Sequence, residues 1–400
     1  MKKILIVSYY LGTKKGVGGK RWLNYANHLC TLGYEITILT TSLHSEIEQL
    51  NPKINIVNFT SNYPEILTKN RLNFFQKFHY KLEVLHRKLH YKGSIYDKGK
   101  GLENLLIIKI NEIIDNRQID NIIVTGAPFS FQYFVTKHFH QKLNIISDFR
   151  DPWTWGIGYG MSLLSSKRMQ YEKSCELQVL KKSHSILCAS TDLANVLIPK
   201  LELIKKKPVV ILNALERINI EISDKNLKTF EDKILISHIG TIALETEKYW
   251  KTFLKFIYSS KHNITVNIYG NSNIIFESFV KNSSLSKINF VERLGLEDLG
   301  TKIKESDFVV LFKMDSFPNT FPTKFFDYIS YKKPIIAFTK KGKVSDEIEI
   351  NKIGVVLNEK SSLNEFDNFL DNYSDTFYDN FDYSKFLIST EIKKLIKLIN

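Results

Sequence analysis

The sequence predicts an α/β protein made of two successive units, each a parallel β-sheet covered by helices. Three observations carry this. Short apolar runs alternate with segments of helical spacing along almost the whole chain. The alternation restarts after a polar stretch, Glu221–Lys233. A length of 400 residues exceeds one ordinary core and suits two α/β domains.

The elements follow in order. Ile4–Val7 is a buried-strand run that ends at small and Gly-rich residues. Lys20–Leu32 has helical spacing, with Leu23, Ala26 and Leu29 or Cys30 on one face, and Gly33 stands where a helix ends. Glu35–Thr40 is the next strand. Asn121–Thr125, Asn144–Ser147, Ser185–Ala189 and Val209–Leu212 continue the first series. The second series comprises Ile234–Ile239, Ile264–Tyr269, Ile288–Val291, Phe308–Phe312, Ile335–Phe338 and Val355–Leu357, with a helix over Thr246–Ser260. Strands separated by helices imply parallel sheets buried on both faces. The predicted domains are 1–218 and 219–384, followed by an amphipathic helix over 385–400.

Composition narrows the class. Hydrophobic residues at 43% against 24% charged are enough for two cores, which excludes global disorder. Lys+Arg of 56 against Asp+Glu of 42 gives a net charge of +14 and favours an anionic partner; a Lys-rich composition that only solvates the surface is the competing reading. No nucleic-acid module is present, so no nucleic-acid partner is expected. Cys30, Cys175 and Cys188 are scattered and odd in number, which argues against a disulfide framework or structural zinc and fits a reducing cytoplasm. No run nears the roughly 18 apolar residues of a membrane span, and the N-terminal run is too short for a signal peptide. A cytoplasmic protein, at most peripheral on the inner membrane face, is expected.

One segment breaks the rhythm. Residues 66–100 read as a basic helical insertion, in which Lys69–Lys100 sets Lys, Arg and His among Phe74, Phe75, Phe78, Tyr80, Leu82, Leu85 and Leu89. Only Glu83 and Asp97 oppose the charge. This is the pattern of an amphipathic helix on an anionic membrane surface; a helix packed on the first domain with a solvated basic face is the alternative.

Ligands of open α/β sheets bind outside the C-terminal strand ends, and four motifs fall there. Gly16-Val17-Gly18-Gly19 precedes a helix, where glycine admits a ligand and free N–H groups favour an anion; a plain turn is the competing reading. Asp148-Phe149-Arg150-Asp151-Pro152-Trp153 follows a strand, and its charged groups suit a polar cleft for a hydroxyl-rich ligand, with a carboxylate to position or deprotonate an acceptor; an Asp–Arg pair that only fixes the loop is the alternative. In Phe321–Tyr328, Pro322 and Thr323 begin a helix whose free N–H groups, with Lys324, make a phosphate site, and Asp327 lies one turn on, within reach of ribose hydroxyls; an ordinary capped helix is the alternative. Gly240-Thr241, and less so Gly270-Asn271, end strands where a backbone N–H meets a diphosphate.

Taken together, these residues resemble the GT-B glycosyltransferases, particularly the family 4-like group of bacterial surface polysaccharide synthesis. The likeness covers nearly the whole chain. It rests on Arg21, Ala26, Leu29, Gly33, Tyr34 and Glu35–Thr40, on Asp148–Trp153, on Ala189-Ser190-Thr191 with Ile211-Leu212-Asn213-Ala214, and most specifically on Pro322–Pro334. Asp327 stands where the family usually has Glu, and Asn319 where the fuller motif has its first Glu. The resemblance implies two Rossmann-like domains with parallel sheets facing across an interdomain cleft, and a C-terminal helix, 385–400, that crosses back to pack on the first domain. It implies a retaining transfer of sugar from a UDP- or GDP-sugar to a hydroxyl of a glycan or polyprenyl-linked acceptor, with no metal or other cofactor. Gly18, Gly19, Gly240, Thr241, Lys248, Pro322, Thr323, Lys324 and Asp327 would hold the donor, and Arg150 and Asp151 would serve the acceptor or transferred sugar, with Lys324 assisting departure of the diphosphate. A nucleotide-sugar epimerase of the same fold and a catalytically degenerate binding or scaffold protein are the alternatives.

Overall fold

The computed structural model describes residues 2–12, 18–42, 47, 50–69, 72–216, 233–270, 274–282, 287–291, 294–372 and 378–400. Gly16, Val17, Asn271 and residues 217–232, with all but the last residue of the polar stretch, lie outside them. The chain divides into two compact units, Met1–Leu212 with Ile388–Asn400, and Asn213–Leu387.

The first unit runs β1 (Lys3–Val7), α1 (Gly18–Thr31), β2 (Glu35–Thr40), β3 (Asn55–Asn58), α2 (Phe74–His90), α3 (Glu103–Arg117), β4 (Asn121–Gly126), α4 (Phe129–Phe139), β5 (Asn144–Phe149), α5 (Ser166–Lys182), β6 (Ser185–Cys188), α6 (Thr191–Glu202) and β7 (Val209–Val210). Its seven strands are parallel in the order β3-β2-β1-β4-β5-β6-β7. The central strands are Ile- and Val-rich because helices cover both faces. Leu5, Val7, Ile122, Val124 and Ile145 pack with α3 and α4, and Ile186 and Cys188 with α5 and α6. Gly33 (φ +94°) closes α1 in the left-handed conformation that glycine takes without penalty, turning the chain into β2.

The second unit runs β8 (Ile234–Ile239), α7 (Glu247–Ser259), β9 (Ile264–Tyr269), α8 (Ile274–Asn282), β10 (Ile288–Val291), α9 (Leu296–Glu305), β11 (Phe308–Phe312), α10 (Thr323–Ser330), β12 (Ile335–Phe338), α11 (Lys343–Ile350), β13 (Gly354–Leu357) and α12 (Leu363–Asp371). Its six strands are parallel in the order β10-β9-β8-β11-β12-β13. Phe253 of α7 seats on Phe312 and Phe338 and Phe256 on Phe338, with Trp250 and Ile257 in the same core.

The last helix, α13 (Ile388–Ile399), belongs to the first unit. Its buried Glu391 accepts from the Leu212 N–H at 2.8 Å, and Lys2 Nζ donates to Ile399 O at 2.8 Å. Each unit is a doubly wound Rossmann-like sheet with its own reversal of strand order, β1/β4 in the first and β8/β11 in the second. Among the described residues, no helix is long and apolar enough to cross a membrane.

Candidate functional site

A doubly wound sheet opens a crevice where the strand order reverses. In the second unit, β8 and β11 pair only at Ile236–Phe308 and Ser237–Val309. Beyond that point side chains replace the ladder. Nδ1 of the buried His238 lies 3.0 Å from Val310 O. A carbonyl only accepts, so Nδ1 carries the proton and Nε2 is left as an acceptor. Tyr328 Oη accepts from the Ile239 N–H and donates to Val310 O, each at 3.2 Å. Tyr328 thus fixes α10 against the strand ends.

Lys324 sits one turn earlier on α10, on the same face as Tyr328. Its Nζ is 3.0 Å from His238 Nε2 and 3.0 Å from Thr241 O. Both partners are neutral. Burial pushes the amine down to about 7, with no carboxylate among the described residues to oppose it. Burial, and then Lys324 beside it, hold the His238 imidazole well below its usual value, so it stays neutral. The result is an ammonium at a strand end that is solvated poorly and lacks a counter-ion.

Other groups converge on the same place. Gly240 (φ +88°) follows β8, and a Cβ there would lie 2.9 Å from Lys324 Cε. Gly270 (φ +136°) ends β9, where a Cβ would lie 2.9 Å from Gly240 Cα. Pro322 caps α10 without a side-chain hydrogen bond, so the Thr323 and Lys324 N–H groups have no partner within the helix. Phe321, Phe325 and Phe386 pack against one another beneath this turn. The half-buried Asp327 lies on α10 one turn beyond Lys324.

Lys248 has a different setting. Its Nζ is 2.6 Å from Asp315 Oδ2 and 3.4 Å from Glu359 Oε1. Tyr249 Oη donates to the same Asp315, and Lys340 Nζ lies 3.2 Å from it. Asp315 holds the Lys248 ammonium above its ordinary value. Lys248 is therefore neutralised by its own carboxylates, unlike Lys324.

In the first unit, the motif after β5 divides in two. The sequence placed Asp148 and Trp153 with Arg150 and Asp151 in a polar cleft; Asp148 and Trp153 are instead in the core. Asp148 accepts from Arg21 at 3.1 and 3.3 Å, from Trp22 Nε1 at 2.7 Å and from Thr125 Oγ1 at 3.0 Å. Arg21 also donates to Leu212 O at 2.9 Å. A buried carboxylate is tolerated because its charge is paired and its oxygens are bonded. Trp153 stacks on Phe129 at 4.9 Å, and its indole N–H donates to the buried Glu172 at 2.8 Å. Arg150 and Asp151 remain partly exposed. The Arg150 guanidinium donates to Gly126 O and Ala127 O at 3.0 and 3.3 Å and lies 3.4 Å from Asp151. Asp151 also accepts from Tyr159 Oη at 2.7 Å. One carboxylate edge is thereby aimed by a cation and a phenol.

Gly18 starts α1. Gly19 approaches Gly12, where a Cβ on Gly19 would meet Gly12 O at 2.3 Å. Backbone-to-backbone packing thus requires glycine at 19, whatever ligand comes near. His238 was missed in the sequence, where it reads as one polar residue within a strand run; only the pairing of β8 with β11 reveals it. Among the described residues, no three His, Cys, Asp or Glu side chains converge as metal ligands.

No protein-family model matches the chain, and no curated protein matches it. Solved structures do share its fold. TarM is similar at 12% identity over 100% of this chain and 99% of its own, with a TM-score of 0.65. Anabaena HepE, in complex with UDP, is similar at 13% identity over 99% of each chain, with a TM-score of 0.64. A putative UDP-N-acetylglucosamine 2-epimerase from Listeria monocytogenes is similar at 12% identity over 100% of this chain and 96% of its own, with a TM-score of 0.56. The fold is the two-domain GT-B fold.

Proposed function

We propose that the protein is a glycosyltransferase that moves a sugar from a UDP- or GDP-sugar to a hydroxyl of a glycan or lipid-linked acceptor, with retention at the anomeric carbon. The observation that carries this is the Lys324 ammonium, held by His238 Nε2 and Thr241 O where the strand order reverses. A diphosphate is the counter-ion it lacks. The N–H groups of Thr323 and Lys324 supply further donors, whereas the Gly240 N–H is already bonded to Tyr269 O at 2.7 Å. Charge develops on the departing diphosphate as the glycosidic bond breaks, and fixed donors aimed at it stabilise that charge. Asp327 serves the ribose hydroxyls, and Lys248 supports the loop through Asp315 rather than meeting phosphate directly. In the first unit, Asp151, oriented by Arg150 and Tyr159, positions the acceptor hydroxyl. That HepE is bound to UDP supports a uridine diphosphate donor.

The test is incubation with labelled UDP- and GDP-sugars in the presence and absence of a glycolipid extract. Acceptor-dependent release of the nucleoside diphosphate, with the sugar recovered on the extract in the donor's anomeric configuration, is the expected result. The epimerase-like neighbour favours a second reading: conversion of a UDP-sugar to its epimer without any acceptor would establish it instead. Tight diphosphate binding with neither product would leave a binding protein.

A further inference from the structure

The basic insertion contains one long helix, α2, whose three faces differ in chemistry. At about 100° per residue, Phe74, Phe75, Phe78, Leu82, Leu85 and Leu89 fall within an arc of roughly 100°. Opposite that arc lie Gln76, Tyr80, Val84 and Arg87, the face turned to the protein. Arg87 is buried, donates to Ile95 O at 2.7 Å and Asp97 O at 3.2 Å, and lies over the Tyr63 and Tyr91 rings. Tyr80 Oη is 2.8 Å from Tyr96 Oη. An Asn73–Gln76 capping box closes the N-terminus. The helix is thus fixed in rotation, and its apolar arc points away from the protein. Phe74 and Phe75 are 81% and 82% exposed, Phe78 64% and Leu89 75%. Single exposed hydrophobics need no explanation, but a continuous stripe on a well-anchored helix does.

The flanks identify what covers it. Lys77, Lys81 and Lys88 line one edge of the stripe, and His79, His86 and His90 the other, all exposed. The single acidic residue of α2, Glu83, lies off the stripe. An apolar arc bordered by lysines on one side and imidazoles on the other matches a bilayer surface, where acyl chains lie beneath anionic headgroups. We infer that α2 docks the protein flat on an anionic lipid surface, with the Phe/Leu stripe in the acyl boundary and the three lysines on lipid phosphates. This stands on α2 alone and does not rest on the sugar-transfer reading.

The experiment uses the full chain and sedimentation with vesicles of equimolar phosphatidylglycerol and phosphatidylcholine, or of phosphatidylcholine alone. The wild type sediments with the anionic vesicles and not with the neutral ones. Phe75→Ser/Phe78→Ser/Leu82→Ser, altered only at exposed positions, keeps the wild-type melting temperature and loses binding by more than about a hundredfold. Lys77→Gln/Lys81→Gln/Lys88→Gln loses roughly fivefold per lysine, and added salt weakens the wild type in the same way. Phe78→Trp emission is quenched by brominated acyl chains. Failure of the wild type to sediment with anionic vesicles overturns the inference. So does unchanged binding of the serine variant, or a wild-type dimer that this variant abolishes without any vesicle binding.

Discussion

Binding of a diphosphate at Lys324 must take up a proton. In the free protein, burial holds the amine at about 7, against an ordinary 10.5. An anion placed against it restores the charged form and moves the value back up. At pH 7 about half of the free amines are already charged, so binding takes up about half a proton. At pH 8 only about a tenth are charged, and the uptake rises to about nine-tenths. The charged form alone is competent, so affinity falls about fivefold from pH 7 to 8 and about tenfold for the next unit, and levels off below about pH 6. Calorimetry in buffers of differing ionisation heat reads this directly. A nucleotide-sugar is the right titrant, because its diphosphate diester has no proton to exchange near neutral pH. Zero uptake at pH 8, or the same uptake in Lys324→Met, refutes the assignment of the anion to this amine.

The same depression acts on folding. Between about 7 and 10.5 the unfolded chain holds the proton and the folded chain does not, so ligand-free stability rises with pH across that window and the penalty is full below it. Lys324→Met therefore stabilises the ligand-free protein at pH 6 by about 1–3 kcal/mol, allowing for the part of the side chain that reaches water, while abolishing diphosphate binding; urea unfolding measures the first. Gly240→Ala meets both a positive φ and Lys324 Cε, and should cost about 1–2 kcal/mol and weaken nucleotide binding at least tenfold. Lys248→Ala, removed from a group already paired with Asp315 and Glu359, should change nucleotide affinity by less than about fivefold in the same titration. Asp148→Asn leaves Arg21 buried without its counter-charge and should lower stability by about 3–5 kcal/mol, read by urea unfolding. Asp151→Asn should lower the transfer rate by about 10²–10⁴ with donor affinity unchanged, as steady-state kinetics and calorimetry together would show.

Much of the fold was written locally. Ile234–Ile239 and Phe308–Phe312 are apolar runs because helices cover both sheet faces, and burial of that kind leaves a mark in sequence. β3 escaped because Asn55–Asn58 is a short edge strand, half-exposed and without a buried run. Pro322–Tyr328 was legible as a helix start because capping chemistry is local too. The partnerships were not. Arg21 and Asp148 lie 127 residues apart in sequence, and nothing in either segment announces the other. Read alone, Asp148 is a polar group that must face a cleft; with Arg21, Trp22 and Thr125 around it, it becomes a buried post tying α1 to β5. His238 illustrates the converse, a residue hidden within a strand pattern whose role is set by where two strands part. The exposed stripe of α2 was visible as amphipathic spacing. Its outward direction depended on the anchors at Arg87 and Tyr80.

The proposed function stands or falls on binding of a nucleoside diphosphate by the second unit through Lys324. Thermal unfolding of the wild type and of Lys324→Met with UDP, GDP and CDP tests it most directly. A ligand at a hundred times its dissociation constant adds about 2.7 kcal/mol, or roughly 5–10 °C for a domain of this size. Such a rise is expected in the wild type with one nucleotide selectively, and none in the variant. No shift with any of the three at millimolar concentration, or an equal shift in both proteins, would contradict it.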